Sequence, residues 1–193
     1  MSGFFVPVIY GSVRSDRQGI KAARWVVNEL RRRGMDPMLI DPMEYQLPML
    51  DRMYKEYAPG TAPALMESLA KTFRAADGFA IVSGEYNHGI PPALKNLMDH
   101  YLEEYFWRPA AIVTYSGTRW GGTRAGVQLR ATLGEMGMVT IPSMQPIGTV
   151  QDAFTDDGTP TDPKLGEYSA RFFEEFVWYM NALKTQRQHG VPY

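Results

Sequence analysis

Residues 4–34 read FFVPVIYGSVRSDRQGIKAARWVVNELRRRG. The run Phe4 to Tyr10 is apolar almost without a break. A strand with one wet face would alternate, so this one is expected to be buried on both faces. Gly11 ends it. Ile20, Ala23, Val27 and Leu30 then recur at helical spacing. Arg31, Arg32 and Arg33 fall in the last turn, where cations meet the negative end of the helix dipole, and Gly34 follows as the residue that stops it. Strand, loop and helix therefore stand in direct succession.

The same alternation continues outward. Met35 to Ile40 is a second strand, placed near a sheet edge because Pro37 lacks an N–H for a neighbour. The segment 41–62 is a long loop carrying Pro42, Pro48, Pro59 and Gly60. Pro63 suits a first helical position, and Leu65, Leu69 and Phe73 mark the helix after it. Phe79 to Ser83 is a strand and 84–91 a loop. Pro92 opens a helix carrying Leu94, Leu97 and Met98. Ala110 to Tyr115 is a strand, 116–122 a glycine loop, and Ala125, Leu129, Leu133 and Met136 a helix. Val139 to Ile147 is a proline-interrupted strand, 155–163 a turn-rich loop, and Leu165, Tyr168, Phe172, Phe176 and Leu183 define a last helix. The order βαβαβαβαβα predicts an α/β protein with a doubly wound five-stranded parallel sheet in a three-layer αβα arrangement. No shift in composition divides residues 1–193, so one domain is expected.

Composition narrows the function classes. Twenty basic and 21 acidic residues give a net charge of −1. A nucleic-acid binder would be strongly basic, and an electron shuttle that docks by charge strongly acidic. The absence of cysteine excludes disulfides, thiolate metal sites, iron–sulfur clusters and a cysteine nucleophile. The start, MSGFFVPVIYGS, has no basic segment and only a short apolar run, so neither a signal peptide nor a membrane span is expected, and a cytoplasmic setting is the default.

Three loops follow the carboxyl ends of strands, the place where open α/β sheets bind ligands. In the strand order 2-1-3-4-5 they converge. The first, GSVRSDRQG, offers Ser12, Ser15, Arg14 and Arg17 just before a helix start, a combination suited to a phosphate monoester. A capped turn with solvated arginines is the plain alternative. The second, SGEYNHGIPP, brings backbone amides, Tyr86 and Asn87, which suit a flat heterocycle with donors and acceptors along one edge; a rigid turn opening a helix is its alternative. His88 could donate a proton, though a capping or surface role is the simpler reading. His100 and His189 have no metal-ligand spacing with it. The third, SGTRWGGTRAG, allows close backbone approach, and Arg119 and Arg124 could meet the phosphates of a second substrate, or simply be solvated. Gly117 and Gly122 have the spacing of a P-loop, but Thr123 stands where the lysine belongs, so nucleoside triphosphate hydrolysis is rejected.

Taken together, GSVR…R-x-G…AARW, GEYNHGIPPALKN and YSG…GGTRAG resemble the NADPH-dependent FMN reductase family of flavodoxin-like quinone, azo and chromate reductases. The resemblance runs from Val6 to Gly137. It implies a flavodoxin-like fold with Ser12, Arg14, Arg17, Gln18, Gly19 and Ile20 around the phosphate of flavin mononucleotide (FMN). Glu85, Tyr86, Asn87, His88 and Gly89 would line its ribityl chain and ring, with Ser116, Gly117 and Gly121 on the other side. It also implies NADPH or NADH as reductant and a small acceptor (quinone, flavin, azo compound or metal oxyanion) reduced by ping-pong hydride transfer. Further implications are a homodimer or homotetramer with Lys95 in an intersubunit ion pair, and no catalytic side chain. Ser83-Gly84 stand where many members carry Thr-Pro, and Arg17 and Gly19 where many carry serine and asparagine. The rival expectation is an FMN electron-transfer or interaction protein without NAD(P)H turnover.

Overall fold

The computed structural model describes residues 3–193; Met1 and Ser2, the start of the segment expected to be neither leader nor span, lie outside them. Five strands, β1 (Phe5–Tyr10), β2 (Asp36–Ile40), β3 (Phe79–Ser83), β4 (Pro109–Tyr115) and β5 (Val139–Ile147), form one parallel sheet in the order β2-β1-β3-β4-β5. The helices are α1 (Gly19–Arg32), α2 (Ala64–Ala75), α3 (Pro92–Asp99), α4 (Thr123–Glu135), α5 (Val150–Ala153) and α6 (Lys164–Gln188). Among the described residues no helix is long and apolar enough to cross a membrane.

Successive strand residues point to opposite faces, and this pleat sorts the core into two halves. Val6, Val8 and Tyr10, with Ala80 and Val82 and then Ala111, Val113 and Tyr115, face α1, α5 and α6. Ile9, Ile81 and Ile112 face α2, α3 and α4. Both faces of β1, β3 and β4 are covered, which is why these three strands read as nearly unbroken apolar runs, whereas the edge strands β2 and β5 are partly exposed. On the first face Trp25 of α1 is 1% exposed and packs against Phe154 and Phe173, with ring centroids 5.7 and 5.6 Å away. The last turn of α1 ends as expected, with Gly34 in the left-handed region at φ 76°.

Most strand prolines respect the layout; the exception, Pro7 in the interior strand β1, precedes Val8, where the pairing with β3 begins. Pro37 lies in β2, and Pro142 and Pro146 in β5, the two edge strands. The starts of β1, β2 and β4 each shift by one residue, and one helix start moves: Pro63 has ψ 142°, an extended value, so it precedes α2 rather than opening it. Single 3-10 turns at Tyr54–Glu56 and Glu103–Tyr105, and the one-turn α5, have no counterpart in the sequence expectations. From β1 the chain runs outward to β2 on one side and through β3 to β5 on the other. The switch point thus falls between β1 and β3, where loops leave in opposite directions and open a crevice.

Candidate active site

The floor of that crevice is Tyr115, with Tyr10 fully buried against it. Tyr10 ends β1 and Tyr115 ends β4, and both point to the α1 side of the sheet. Their rings stack at 6.2 Å, and the Tyr115 hydroxyl donates to the Tyr10 hydroxyl at 3.4 Å. Burial pushes both hydroxyls above their ordinary pKa, Tyr115 well above it, so both stay protonated at neutral pH. The first residue of α1 rests on this floor. A Cβ at Gly19 would lie 2.0 Å from the Tyr115 ring, so only glycine lets the helix start come down this far.

The cleft above, about 210 Å³, is lined by Ser12, Arg14, Asp16, Arg17, Gln18 and Gly19 of the first loop, by Gly84, Glu85 and Tyr86 of the second, and by Tyr115, Ser116 and Gly117 of the third. Val150 and Gln151 of α5 complete it. A larger hollow of 570 Å³ lies beside α1 and the turn at Asp156–Asp157, where no strand-end loops converge.

The first loop has two arginines in different roles. Arg17 Nη1 donates to Asp41 Oδ1 at 2.5 Å and to the Ser12 carbonyl at 3.2 Å. Asp41 follows β2 and is 2% exposed. Its hydrogen bond raises the pKa of Arg17, which is locked in the charged form as a clamp on the loop. Arg14 is exposed, lines the cleft and forms no ion pair among the described residues. Beside it, α1 has no acidic residue in its first turn and no side-chain cap. The Ile20 and Lys21 N–H groups turn back onto the Arg17 and Gln18 carbonyls at 3.2 Å, but the positive end of the helix dipole still lies at Gly19, which lines the cleft.

Ser12 joins the first loop to the second through its hydroxyl contact with Tyr86 at 3.1 Å. The second loop then reverses tightly. Tyr86 and Gly89 exchange backbone hydrogen bonds of 3.0 and 2.8 Å, with Asn87 and His88 both left-handed at φ 49° and 66°. Two consecutive positive φ values make a type I′ turn, a place where asparagine is favoured. This geometry carries Asn87 and His88 to an exposed tip outside the cleft walls. Gly89 also lies outside, as do Ile20, packed against the α1-side core, and Gly121, buried against Pro146 and Ile147.

Glu85 links the second and third loops. The residue before α4 is Gly122, which has no side chain to cap the helix. Glu85, about 40 residues earlier, supplies the acceptor: its carboxylate takes hydrogen bonds from the N–H groups of Arg124 at 2.9 Å and Ala125 at 3.2 Å. An anion at a helix N-terminus is favoured by the dipole as well. Glu85→Ala is expected to lower unfolding free energy by about 1–2 kcal/mol, read from urea midpoints at constant slope. An unchanged midpoint would show that the cap contributes nothing.

The sequence did not single out Asp16, Gly84, Tyr115, Val150 or Gln151 as lining residues. Tyr115 carried a signal, a hydroxyl at the end of an apolar strand facing the crevice. Gln151 carried none, because a four-residue helix shows no periodicity.

An open parallel sheet with a cationic loop and an uncapped helix start at its switch point defines a flavodoxin-like α/β protein built for a phosphate-bearing ligand. Residues 6–151 match the family described as NADPH-dependent FMN reductase, and the chain belongs to that family. It is 33% identical over 183 residues to an NAD(P)H-dependent FMN reductase of Nectria sp., covering 88% of this chain and 87% of that protein. A quinone reductase of Pseudomonas putida is 27% identical, covering 90% and 91%. Among solved structures, FerB of Paracoccus denitrificans, a flavoenzyme NAD(P)H:(acceptor) oxidoreductase, has the same fold, with TM-score 0.73, 22% identity, and 93% and 98% coverage. Family membership makes this chain an oxidoreductase with FMN as cofactor and NAD(P)H as reductant. The residues present suit that cofactor: Arg14, Arg17 and the start of α1 gather at one end of the cleft, with Asp16 beside them, and Gly84, Tyr86, Ser116 and Gly117 line the rest with Glu85, whose carboxylate is tied to the start of α4.

Proposed function

We propose that the cleft holds FMN with its phosphate over the first loop and its ring between the second and third loops, and that the enzyme reduces small planar acceptors, quinones first. The observation that carries this is that the start of α1 at Gly19, without a side-chain cap or an acidic residue in its first turn, lines the same cleft as the exposed Arg14, which forms no ion pair among the described residues. Arg14, Ser12, Gln18 and Gly19 hold the phosphate. Arg17 keeps the loop in place from behind, and Ile20 seats the helix that presents its amides. Glu85 and Tyr86 set the ring wall. Asn87, His88 and Gly89 shape the turn that frames it, and Ser116 and Gly117 form the opposite wall, supported by Gly121.

Bound FMN supplies the reversible two-electron chemistry between NAD(P)H and the acceptor. The chain's own residues bind, orient and exclude. The protonated hydroxyls of Tyr10 and Tyr115 give a neutral floor, so no side chain there takes up or releases a proton at neutral pH. Backbone N–H groups of the two ring-wall loops stabilise negative charge without an ionisable group. Quinones are favoured by the relative that bears that name and by an open cleft. A cytoplasmic setting, where pyridine nucleotides are kept reduced, belongs to the same proposal. So does a homodimer or homotetramer. Lys95 pairs with Asp99 of its own helix at 2.5 Å, beside an apolar hollow of 360 Å³ that includes Leu50, Met53, Leu102 and Met136, which a second subunit would cover.

The test is the visible spectrum of the purified protein, before and after anaerobic NADPH. A flavin spectrum that NADPH bleaches and a quinone restores is expected. A protein that takes up no FMN refutes the cleft assignment, and one that NADPH cannot bleach refutes the reductase reading. Arg14→Ala should raise the FMN dissociation constant about tenfold, the loss of one charge-assisted contact worth about 1.4 kcal/mol. Unchanged affinity would remove Arg14 from the phosphate site.

A further inference from the structure

Where the loop after β4 leaves the cleft lining and runs into α4, two arginines converge on one indole. The guanidinium of Arg119 lies 4.8 Å from the Trp120 ring centroid, and that of Arg124 lies 5.7 Å from it. Trp120 is 53% exposed, a large apolar surface for a residue whose ring contacts are cations. The arrangement is anchored at both ends. The Arg119 backbone packs on Gly148, where a Cβ would come within 2.9 Å of its carbonyl oxygen, and Thr149 N–H donates to the Thr118 carbonyl at 3.0 Å. Arg124 is held from the other side by Glu85, at 3.4 Å between Nη1 and Oε1. Glu85 is already occupied by two backbone bonds from α4. Arg119 forms no ion pair among the described residues, so the ridge keeps an uncompensated positive charge.

The ridge is contiguous with the cleft. Ser116 and Gly117 line the crevice and only Thr118 separates them from Arg119, while Glu85 lines it and touches Arg124. Two pre-ordered guanidinium forks on a rim match a phosphate monoester, a dianion with three terminal oxygens. The phosphate of FMN has its own cradle on the first loop, so the rim pair answers to the other substrate. NADPH and NADH share every group except one monoester, the 2′-phosphate of the adenosine. We propose that Arg119, with Arg124 and the ordering face of Trp120, binds that 2′-phosphate and makes the enzyme select NADPH over NADH. This rests on the cleft assignment above, since it places the coenzyme's adenosine end outside the ring walls.

The experiment uses the FMN-loaded protein and its Arg119→Ala and Arg119→Lys variants. The ratio of kcat/KM for NADPH to that for NADH is expected to fall about tenfold in Arg119→Ala and less in Arg119→Lys. Binding without turnover is read by calorimetry with adenosine 2′,5′-bisphosphate and adenosine 5′-monophosphate. The wild type should bind the bisphosphate at least tenfold more tightly, and Arg119→Ala should lose that margin. An unchanged ratio overturns the proposal. Equal losses for both coenzymes also overturn it, because they assign the arginine to the shared pyrophosphate or to subunit contacts. Flavin absorbance keeps the two readings apart: a wild type without FMN defeats the cleft assignment, whereas normal FMN content with an unaltered coenzyme ratio defeats only this one.

Discussion

Arg17→Met is expected to lower the free energy of unfolding by about 3 kcal/mol and to remove most of the bound FMN. The cause is Asp41, whose side chain is 3% exposed and pairs with Arg17 at 2.5 Å. Without the guanidinium a carboxylate stays buried with one remaining backbone donor, the Met43 N–H at 3.0 Å. The cost falls at the low end for a broken buried pair because Arg17 is itself 19% exposed, so water reaches the site. Cofactor loss has a separate cause. Arg17 also binds the Ser12 carbonyl, and with it gone the first loop is free to leave its position over the floor. The double variant Arg17→Met/Asp41→Asn should recover much of the stability and little of the FMN. Urea melts and flavin absorbance measure the two effects independently, and a single-variant loss below about 1 kcal/mol would refute the clamp.

Gly122→Ala should be comparably severe. Gly122 has φ 74°, and a Cβ there would lie 2.6 Å from the carbonyl oxygen of Tyr115, a backbone atom of β4. The left-handed conformation alone costs a non-glycine residue about 1–2 kcal/mol. The clash adds to this because neither a strand carbonyl nor a helix start yields easily, for a total of about 3 kcal/mol. Gly60 provides the control. It has φ 75° with nothing within 4 Å, so Gly60→Ala should show the conformational cost and no more. Equal midpoint shifts in thermal melts of the two variants would mean that contact with Tyr115 is unimportant.

The sheet was legible because its interior strands β1, β3 and β4 are buried on both faces, which leaves apolar runs that no surface strand shows. β3 and β5 fall at the expected residues, and Pro37 placed β2 at an edge correctly. Helix starts were less certain. Pro63 has the right φ for a helix but an extended ψ, and composition does not distinguish the two. At the site, chain order indicated which loops meet, since right-handed crossovers leave few topologies once five strands alternate with helices. It did not indicate where each side chain would go. Arg14 and Arg17 are three residues apart in one loop and both line the cleft, yet only Arg17 is drawn into an ion pair with Asp41. Glu85 lines the cleft and also caps a helix some 40 positions later, a second role that its place in the loop did not indicate.

What the sequence by itself determined is the layer order, the parallel sheet, and three loops at one end of it, because these follow from local periodicity and chain connectivity. Only the tertiary structure decided the division of labour within those loops. Pairings such as Arg17 with Asp41, Ser12 with Tyr86, Glu85 with the start of α4, and Arg119 with Trp120 in the loop after β4 depend on where folded elements come to rest. An ion pair or a cap forms with whichever group lies within about 3 Å, and that distance is set by packing.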